Sequence, residues 1–293
     1  AVGDPDQAVY GFRGSDIRYI LNFSRIYPQH ACVELDVNFR STATIVEAAN
    51  RFIANNGHRF GRVITSARGP GAPLQFQGAE DPEAEANWVA GEIRKLIDAG
   101  TSAEEIAVLT RVAYHANWVE QALFARGVPF GLLGMSNFWG RPEVKQALGA
   151  ISVLTGVSLV DGEPRLSPRL REAIGSVDPD DLVATAKVVC KTVARRPPKT
   201  ISGQRREAWT SAMGLLSQEI ARHKDPEALA RKIRARSAIG EQSGKGVSVG
   251  TIHAAKGLEW AAVFLVACER DVLPHAKNPD LEEERRLAFV ALT

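Results

Sequence analysis

Cysteine is scarce in this chain of 293 residues, and the three present, Cys32, Cys190 and Cys268, lie far apart. Their number is odd and no pair has the spacing of metal ligands. The sequence therefore predicts reduced thiols in a cytoplasmic protein with no metal site of its own. No apolar run reaches the roughly 18 residues that a membrane-spanning helix needs, and no signal peptide is visible, so we expect no membrane partner.

The sequence also lacks a phosphate-binding loop of the form G-x-x-x-x-G-K-[ST]. The nearest stretch, 240–246, has the wrong spacing, no Ser or Thr after its lysine and no strand before it. No pair of carboxylates that could hold magnesium precedes the polar motifs described below. The chain therefore does not contain a complete ATP site of this class.

The composition is that of a folded protein, with 45% hydrophobic and 24% charged residues, and the length suggests two domains. The charge is uneven, because residues 152–246 carry 17 Lys and Arg against 11 Asp and Glu, a net charge of +6. Such a segment indicates either a nearby polyanion or a solvated helical surface. Because neither end of the chain resembles a finished terminus, we expect a fragment of a longer protein.

Apolar strands alternate with amphipathic helices through the first half of the chain, which predicts an α/β fold with a parallel sheet covered on both faces. The strands expected there include Pro73–Gly78, Glu105–Thr110 and Pro129–Leu133. Between residues 155 and 246 only helices are expected, and strands return at Val247–Ile252 and 261–267. We interpret this as an α/β core (31–154 and 247–293) preceded by a short tail (1–30) and interrupted by a helical insertion (155–246).

The polar loop 3–15 combines glycines, a glutamine, two aromatic residues and an arginine. The amide of Gln7 can bind a phosphate oxygen or the water that attacks it. Tyr10 and Phe12 beside Arg13 suit single-stranded nucleic acid, because every base has a π-face. A Gly-rich turn whose aromatic rings belong to the core is the alternative.

Three further polar segments stand at the ends of strands or at the start of a helix: 38–42, 250–260 and 282–293. In the first, Phe39 and Arg40 precede a helix, and helix N-termini favour anions. The second places Thr251, His253 and Glu259 after an apolar strand, as at a ligand rim. The third is an acidic helix start, which alone is a weak signal.

Together and in this order, the four segments resemble motifs III, IV, V and VI of the UvrD/Rep/PcrA family of superfamily 1 DNA helicases. The resemblance covers nearly the whole chain outside the insertion. It implies that the core is the second of two RecA-like domains, belonging to the P-loop NTPase superfamily fold, and that ATP lies between the two. The chain would be the C-terminal half of such a helicase, and its insertion would correspond to the accessory subdomain.

Residue roles follow from the resemblance alone. Gln7 would sense the γ-phosphate, Arg40 would bind it, and these two are the expected catalytic residues. The cofactor site would add Phe39 near the adenine, Glu259 at the ribose, and Lys256, Gly257 and Arg286. The residues expected to contact DNA are Tyr10, Phe12, Arg13, Thr251, His253 and His275. Ala113 stands where relatives carry an asparagine that contacts DNA.

By the same resemblance, the parent protein would be an ATP-dependent 3′-to-5′ DNA helicase of repair or replication that uses ATP with Mg²⁺. Its partners would be single-stranded DNA, single-strand/duplex junctions and the N-terminal RecA-like core of the same protein. The fragment alone would not hydrolyse ATP. A DNA-binding or regulatory module without a P-loop, and a RecB/AddA-like helicase–nuclease subunit, remain alternatives. The cations Arg231, Lys232, Arg234 and Arg236 permit duplex contact by the insertion.

Overall fold

The computed structural model describes residues 1–134, 138–160, 162, 166–175, 177–201, 204–223, 225–239 and 245–293. The strands within these ranges are β1 (Val37–Asn38), β2 (Thr65–Ser66), β3 (Ile106–Thr110), β4 (Phe130–Leu133), β5 (Val247–Thr251) and β6 (Ala262–Val266). The α-helices are α1 (Arg18–Leu21), α2 (Phe23–Ile26), α3 (Ala43–Ile53), α4 (Pro82–Asp98), α5 (Ala116–Ala125), α6 (Pro142–Thr155), α7 (Pro168–Ile174), α8 (Leu182–Ala194), α9 (Gln204–Ala221), α10 (Pro226–Ile239), α11 (Ile252–Ala255) and α12 (Leu281–Leu292).

The strands form two parallel sheets. The larger has the order β4-β5-β3-β6, and the smaller pairs β1 with β2. Parallel pairing joins β3 to both β5 and β6, and β4 to β5. The predicted α/β class with a parallel sheet is therefore confirmed.

Helices cover both faces of the larger sheet, which explains why every residue of β3 is buried. Because side chains alternate along a strand, Ile106 and Val108 pack with α4 and α5 on one face. Ala107 and Leu109 pack with α11 and α12 on the other face. Val9 of the N-terminal segment is buried in this second cluster, so the first residues of the chain are part of the core.

Helices α6 to α10, here called the helical unit, share a hydrophobic core of their own that includes Phe138 and Trp139. Helix α6 buries much of its apolar surface there, so this core begins before residue 155. Trp118 of α5 packs against the helical unit and against the sheet core. An ion pair of 2.6 Å between Arg222 and Glu83 also joins the two.

The helical unit lies between β4 and β5 in the chain, although these strands are neighbours in the sheet. Gly246 opens β5 with a φ of 101°, a conformation that residues with a Cβ rarely adopt. A Cβ at this position would also collide with the carbonyl oxygen of Pro129, which accepts a hydrogen bond from the Val247 N–H. Glycine therefore allows the chain to return beside β4 after the insertion.

The prediction of a strand at Pro73–Gly78 is wrong, because this segment belongs to neither sheet. A strand needs a neighbour to which its N–H and C=O groups can bond, and none of the described strands pairs with this segment. Pro73 has no N–H to donate, and the Phe76 side chain is 92% exposed. Residues 31–36 likewise belong to neither sheet, and only the two-residue strand β1 follows them.

A buried ion pair joins the end of β3 to the first turn of α12. Arg111 donates to Glu284 through Nε at 2.9 Å and through a terminal nitrogen at 2.7 Å, and both side chains are nearly inaccessible to solvent. Burial acts to raise the pKa of Glu284. Hydrogen bonds from Arg111, Asn278 and the backbone of His275 outweigh it, so the pKa is lowered and the carboxylate stays charged.

Replacing Glu284 by alanine should therefore lower the free energy of unfolding by about 3–5 kcal/mol, because it leaves the Arg111 charge buried without a partner. The control is Asp98→Ala, which removes the exposed ion pair with Arg94 and should cost less than about 1 kcal/mol. Urea unfolding of both variants would measure the losses. Equal, small losses would show that the buried pair does not hold α12 to the sheet.

Candidate functional site

A cleft of about 480 Å³ lies between the turn that follows β1, the loop that follows α11, the first residues of the chain and the end of α12. Five of the residues predicted to face nucleotide, which come from three separate parts of the chain, meet here. The cleft is lined by Gln7, Asn38, Phe39, Arg40, Ala255, Gly257, Leu258, Glu259, Val290 and Thr293. The structure thus brings together Gln7, Phe39, Arg40 and the loop of Gly257 and Glu259.

Asn38 fixes the turn that carries Phe39 and Arg40. Its side-chain oxygen accepts hydrogen bonds from the N–H groups of Arg40 at 2.9 Å and Ser41 at 2.8 Å. A side chain that bonds to the backbone two and three residues later mimics a turn, so the local sequence suffices to form it. The Phe39 ring is left 74% exposed at the rim of the cleft.

Arg40 and Glu259 form an ion pair across the cleft, with 2.6 Å between Nε of Arg40 and a carboxylate oxygen of Glu259. The two side chains are 45% and 66% exposed. An ion pair this open to water contributes little net free energy, so either partner can exchange it for another. The guanidinium offers planar, paired donors of the kind that bind phosphate.

Gln7 also lines the cleft, and its position is fixed by hydrogen bonds to neighbouring residues. Its side-chain nitrogen donates to Asp4 at 3.0 Å, and Asp4 also pairs with Arg62 at 2.6 Å. The ammonium of Lys256 donates to the backbone oxygen of Gln7 at 2.9 Å. Lys256 therefore ties the loop after α11 to the short helical turn that carries Gln7.

Tyr10, Phe12 and His253 form a second feature, here called the aromatic patch. The ring centroids of Phe12 and His253 are 5.5 Å apart and those of Tyr10 and Phe12 are 6.1 Å apart. The Arg13 guanidinium lies 5.4 Å from the Tyr10 ring centroid and 5.5 Å from that of Phe12. The Lys256 ammonium lies 5.1 Å from the Tyr10 centroid, so this cation, predicted at the cofactor but not part of the cleft lining, contacts both the Gln7 backbone and the aromatic patch.

Phe12 is 66% exposed, so the aromatic patch presents a ring to solvent rather than filling the core. The Tyr10 hydroxyl donates to the backbone oxygen of His253 at 3.3 Å, which fixes the patch on α11. Exposed rings flanked by cations are the arrangement that stacks on unpaired bases and binds their phosphates. The interpretation of loop 3–15 as a turn with core aromatics therefore fits Phe12 poorly.

Burial lowers the pKa of His253 to about 4, and the nearby Arg111 acts in the same direction. His253 is therefore a neutral ring at pH 7. It can stack or donate one hydrogen bond, but it does not add a positive charge to the aromatic patch.

Two of the residues predicted to contact DNA have structural roles within the fold. The Thr251 side chain caps α11 by accepting from the Ala254 N–H at 3.3 Å. His275 is buried, and its ring nitrogen accepts from the Lys277 N–H at 3.2 Å. Neither side chain belongs to the aromatic patch, so their predicted DNA contacts remain predictions.

Arg286, predicted at the cofactor, does not line the cleft. Its guanidinium is buried and donates to the backbone oxygen of Ala8 at 2.8 Å and to Asp280 at 3.1 Å. It thus holds the backbone of Ala8, the residue next to Gln7, and influences the cleft without lining it. Its direct contact with nucleotide remains a prediction, and it would require the guanidinium to give up these hydrogen bonds for bonds to the nucleotide.

Two of the four cations in the insertion's cluster pair with carboxylates, and Arg234 donates to the backbone oxygen of Ser158 at 3.5 Å. Arg231 lies 3.6 Å from both Asp225 and Glu227, and Lys232 lies 2.8 Å from Glu219. The Arg236 side chain lies outside the described residues. Duplex contact by this surface remains a prediction, and Arg231 and Lys232 would have to exchange these partners to make it.

Sequence reasoning missed the residues that hold the loops of the site. Asp6 forms a bidentate, buried pair with Arg59, at 3.2 and 2.8 Å, which joins the first residues to the turn after α3. Glu282 and Glu283 each bond to a different loop. A carboxylate at a helix start has the same local pattern whatever it binds, so only the folded chain reveals these partners.

Comparison with known proteins agrees with the motif order. The UvrD-like helicase C-terminal domain family matches residues 33–156 and 218–293, and the UvrD/REP helicase N-terminal domain family matches residues 1–28. Much of the helical unit falls in the gap between the two matched ranges of the first family.

Similar proteins include the ATP-dependent DNA helicase UvrD2 of Mycobacterium tuberculosis, which is 35% identical over all of this chain and 41% of its own length. The ATP-dependent DNA helicases PcrA of Bacillus subtilis and Leuconostoc citreum are each 26% identical over all of this chain. The match covers 49% and 48% of those two proteins. The chain thus spans less than half the length of these curated relatives.

The lowered pKa of His253 predicts how acid affects stability. Between about pH 6.5 and pH 4 the unfolded chain binds a proton at this position that the folded chain excludes, so stability falls as the pH falls through this window. Replacing His253 by glutamine should remove this part of the loss. The test is to measure the free energy of unfolding of the unaltered chain and of His253→Gln at pH 7 and at pH 5. If both lose the same amount between these pH values, His253 is not a neutral, partly buried imidazole in the folded chain.

Proposed function

This chain belongs to the UvrD-like helicase family, and we propose that it is the part of an ATP-dependent DNA helicase that forms one wall of the nucleotide cleft and one surface of the DNA path. The observation that carries the proposal is the cleft itself. Gln7, Phe39, Arg40 and Glu259, which come from three distant segments, line one space of about 480 Å³.

The chemistry of the cleft fits a nucleoside triphosphate. The exposed Phe39 ring is suited to stack on a base, and Glu259 is suited to accept hydrogen bonds from ribose hydroxyls. Arg40 supplies a fixed cation for phosphate oxygens and Gln7 an amide that can orient a water. The volume lies within the range of about 300–1,000 Å³ that is usual for small-molecule sites.

The ion pair between Arg40 and Glu259 indicates how this wall would receive a nucleotide. When a phosphate draws the guanidinium away, the Glu259 carboxylate is released for the ribose. Exchange of one exposed charge pair for another has a small net cost, since neither side chain leaves water completely. Binding would then place Arg40 where negative charge accumulates during phosphoryl transfer, which is the main contribution a protein makes to this reaction.

The remaining parts of an ATP site are proposed to come from an N-terminal RecA-like core of the same protein. Among the described residues that line the cleft, Glu259 is the one with a side-chain carboxylate, and it is paired with Arg40. Magnesium and the phosphate-binding loop are accordingly assigned to that other core. By itself the chain would not hydrolyse ATP, because its sequence has no G-x-x-x-x-G-K-[ST].

The aromatic patch is proposed to contact single-stranded DNA, including the single strand at a duplex junction. Base stacking on Tyr10 or Phe12 requires no particular base, as a translocating enzyme needs. Lys256 contacts the Gln7 backbone and the Tyr10 ring, so a movement of Gln7 at the cleft would be transmitted through Lys256 to the aromatic patch. We assign 3′-to-5′ polarity, a role in repair or replication and a cytoplasmic location on family resemblance alone.

Replacing Arg40 by alanine in the intact helicase should lower the kcat of DNA-stimulated ATP hydrolysis by about a hundredfold, because the transition-state charge loses a fixed cation. Arg51→Ala is the matched control, since Arg51 lies on α3, outside the cleft lining, and pairs with Glu47 at the surface. Steady-state ATPase assays would compare them. A kcat unaffected by Arg40→Ala would remove the basis for a nucleotide cleft.

Replacing Phe12 by alanine should weaken binding of oligothymidylate by about tenfold, because one stacking ring is worth roughly 1–3 kcal/mol. The ATPase of the intact helicase should then need more DNA for half-maximal stimulation. Phe76→Ala is the control, since Phe76 is also exposed but belongs neither to the cleft nor to the aromatic patch. Fluorescence anisotropy would measure binding, and equal affinities for both variants would exclude stacking on Phe12.

A further inference from the structure

The first turn of α12 carries three consecutive carboxylates, and each accepts hydrogen bonds from a different segment of the chain. Glu282 accepts from the turn after α3, and Glu284 accepts from Arg111 at the end of β3. Glu283 accepts from the backbone N–H of Gly11 at 2.7 Å. Gly11 lies between the two rings that the N-terminal segment contributes to the aromatic patch.

The contact between Glu283 and Gly11 is close enough to fix the loop. A Cβ at Gly11 would lie 2.8 Å from the nearer Glu283 oxygen, so a larger residue here would have to move the carboxylate from its present position. The loop is then closed locally, because the Arg13 N–H donates to the Tyr10 oxygen at 2.9 Å and Gly14 adopts a φ of 84°. With Gly11 held, the backbone from which the Tyr10 and Phe12 side chains project is fixed in place.

Glu283 is available for this contact because other groups cap the helix. A glutamate at this position of a helix often bonds back to the backbone N–H of the capping residue. Here that N–H, of Asp280, donates to the Asn278 side chain at 3.1 Å. Asp280 in turn accepts from the Glu283 N–H at 2.9 Å, so the helix is capped without the Glu283 carboxylate.

The other end of α12 lines the nucleotide cleft. Val290 and Thr293 belong to the cleft wall, and the Ser41 hydroxyl bonds to the Thr293 oxygen at 3.4 Å, next to Arg40. A helix of twelve residues is about 18 Å long and is a rigid element. One helix therefore touches the cleft at one end and the loop of the aromatic patch at the other.

We propose that Glu283 is a positioning residue through which α12 sets the direction of Tyr10 and Phe12, so that movement of the cleft wall is transmitted to the DNA-contacting rings. This inference rests on the proposed function of the cleft and of the aromatic patch. Glu283 touches neither nucleotide nor base in this scheme, and it acts by holding the Gly11 N–H.

The test uses three variants of this chain: Glu283→Ala, Glu283→Gln and the control Glu282→Ala. Hydrogen exchange of segment 9–14 reports the loop directly, and Glu283→Ala should speed exchange of the Gly11 amide by at least about tenfold. Glu283→Gln should restore protection because its amide oxygen still accepts the N–H. Glu282→Ala should leave segment 9–14 unchanged, since that carboxylate holds the turn at Gly57.

The second measurement is binding of an oligothymidylate of about twelve nucleotides, a length within the usual site size of single-strand binders. Glu283→Ala should weaken binding by about five- to tenfold, and Glu283→Gln should not. Unchanged exchange at Gly11, or unchanged affinity in Glu283→Ala while the unaltered chain binds, would overturn the inference. If the unaltered chain does not bind the oligonucleotide, the proposed DNA surface fails, and hydrogen exchange still decides whether Glu283 holds the loop.

Discussion

The buried ion pair between Arg111 and Glu284 is the contact on which the arrangement of both sites depends. It joins the end of β3 to the first turn of α12. Because both side chains are buried, removing one partner would cost several kcal/mol. With that turn fixed, Glu283 reaches the loop of the aromatic patch and Arg286 reaches the backbone beside Gln7. The cleft and the patch are therefore placed by the same helix start.

The cleft and the aromatic patch share two short segments, 7–13 and 253–259, which lie against each other. Gln7 faces the cleft and Tyr10, three residues later, belongs to the patch, with Lys256 bonded to the first and over the ring of the second. Communication between nucleotide and DNA, as proposed here, needs no long path through the protein. It needs only that these segments move together.

The resemblance to helicase motifs predicted that Arg40 and Glu259 would lie together, and their places beside strand ends and a helix start, where ligands commonly bind, are consistent with that prediction. It did not predict that Arg286 and His275 would be buried, since their local patterns are the same whether the side chain faces a ligand or the protein's own backbone. The strand expected around Phe76 failed for a related reason. Alternation of apolar and polar residues is a property of a single segment. A strand forms only when a neighbouring strand bonds to its N–H and C=O groups.

The position of the helical unit between two adjacent strands has a consequence for how this architecture can vary. The chain leaves the sheet after Leu133 and returns at Val247 in the adjacent parallel strand, where Val247 pairs with Phe130 at the start of β4. Closing a flexible connection costs free energy that rises only with the logarithm of its length, about 0.6 kcal/mol for each doubling. Homologues can therefore gain or lose whole helices here while the strand pairing persists, and the unmatched stretch 157–217 is where such divergence would accumulate.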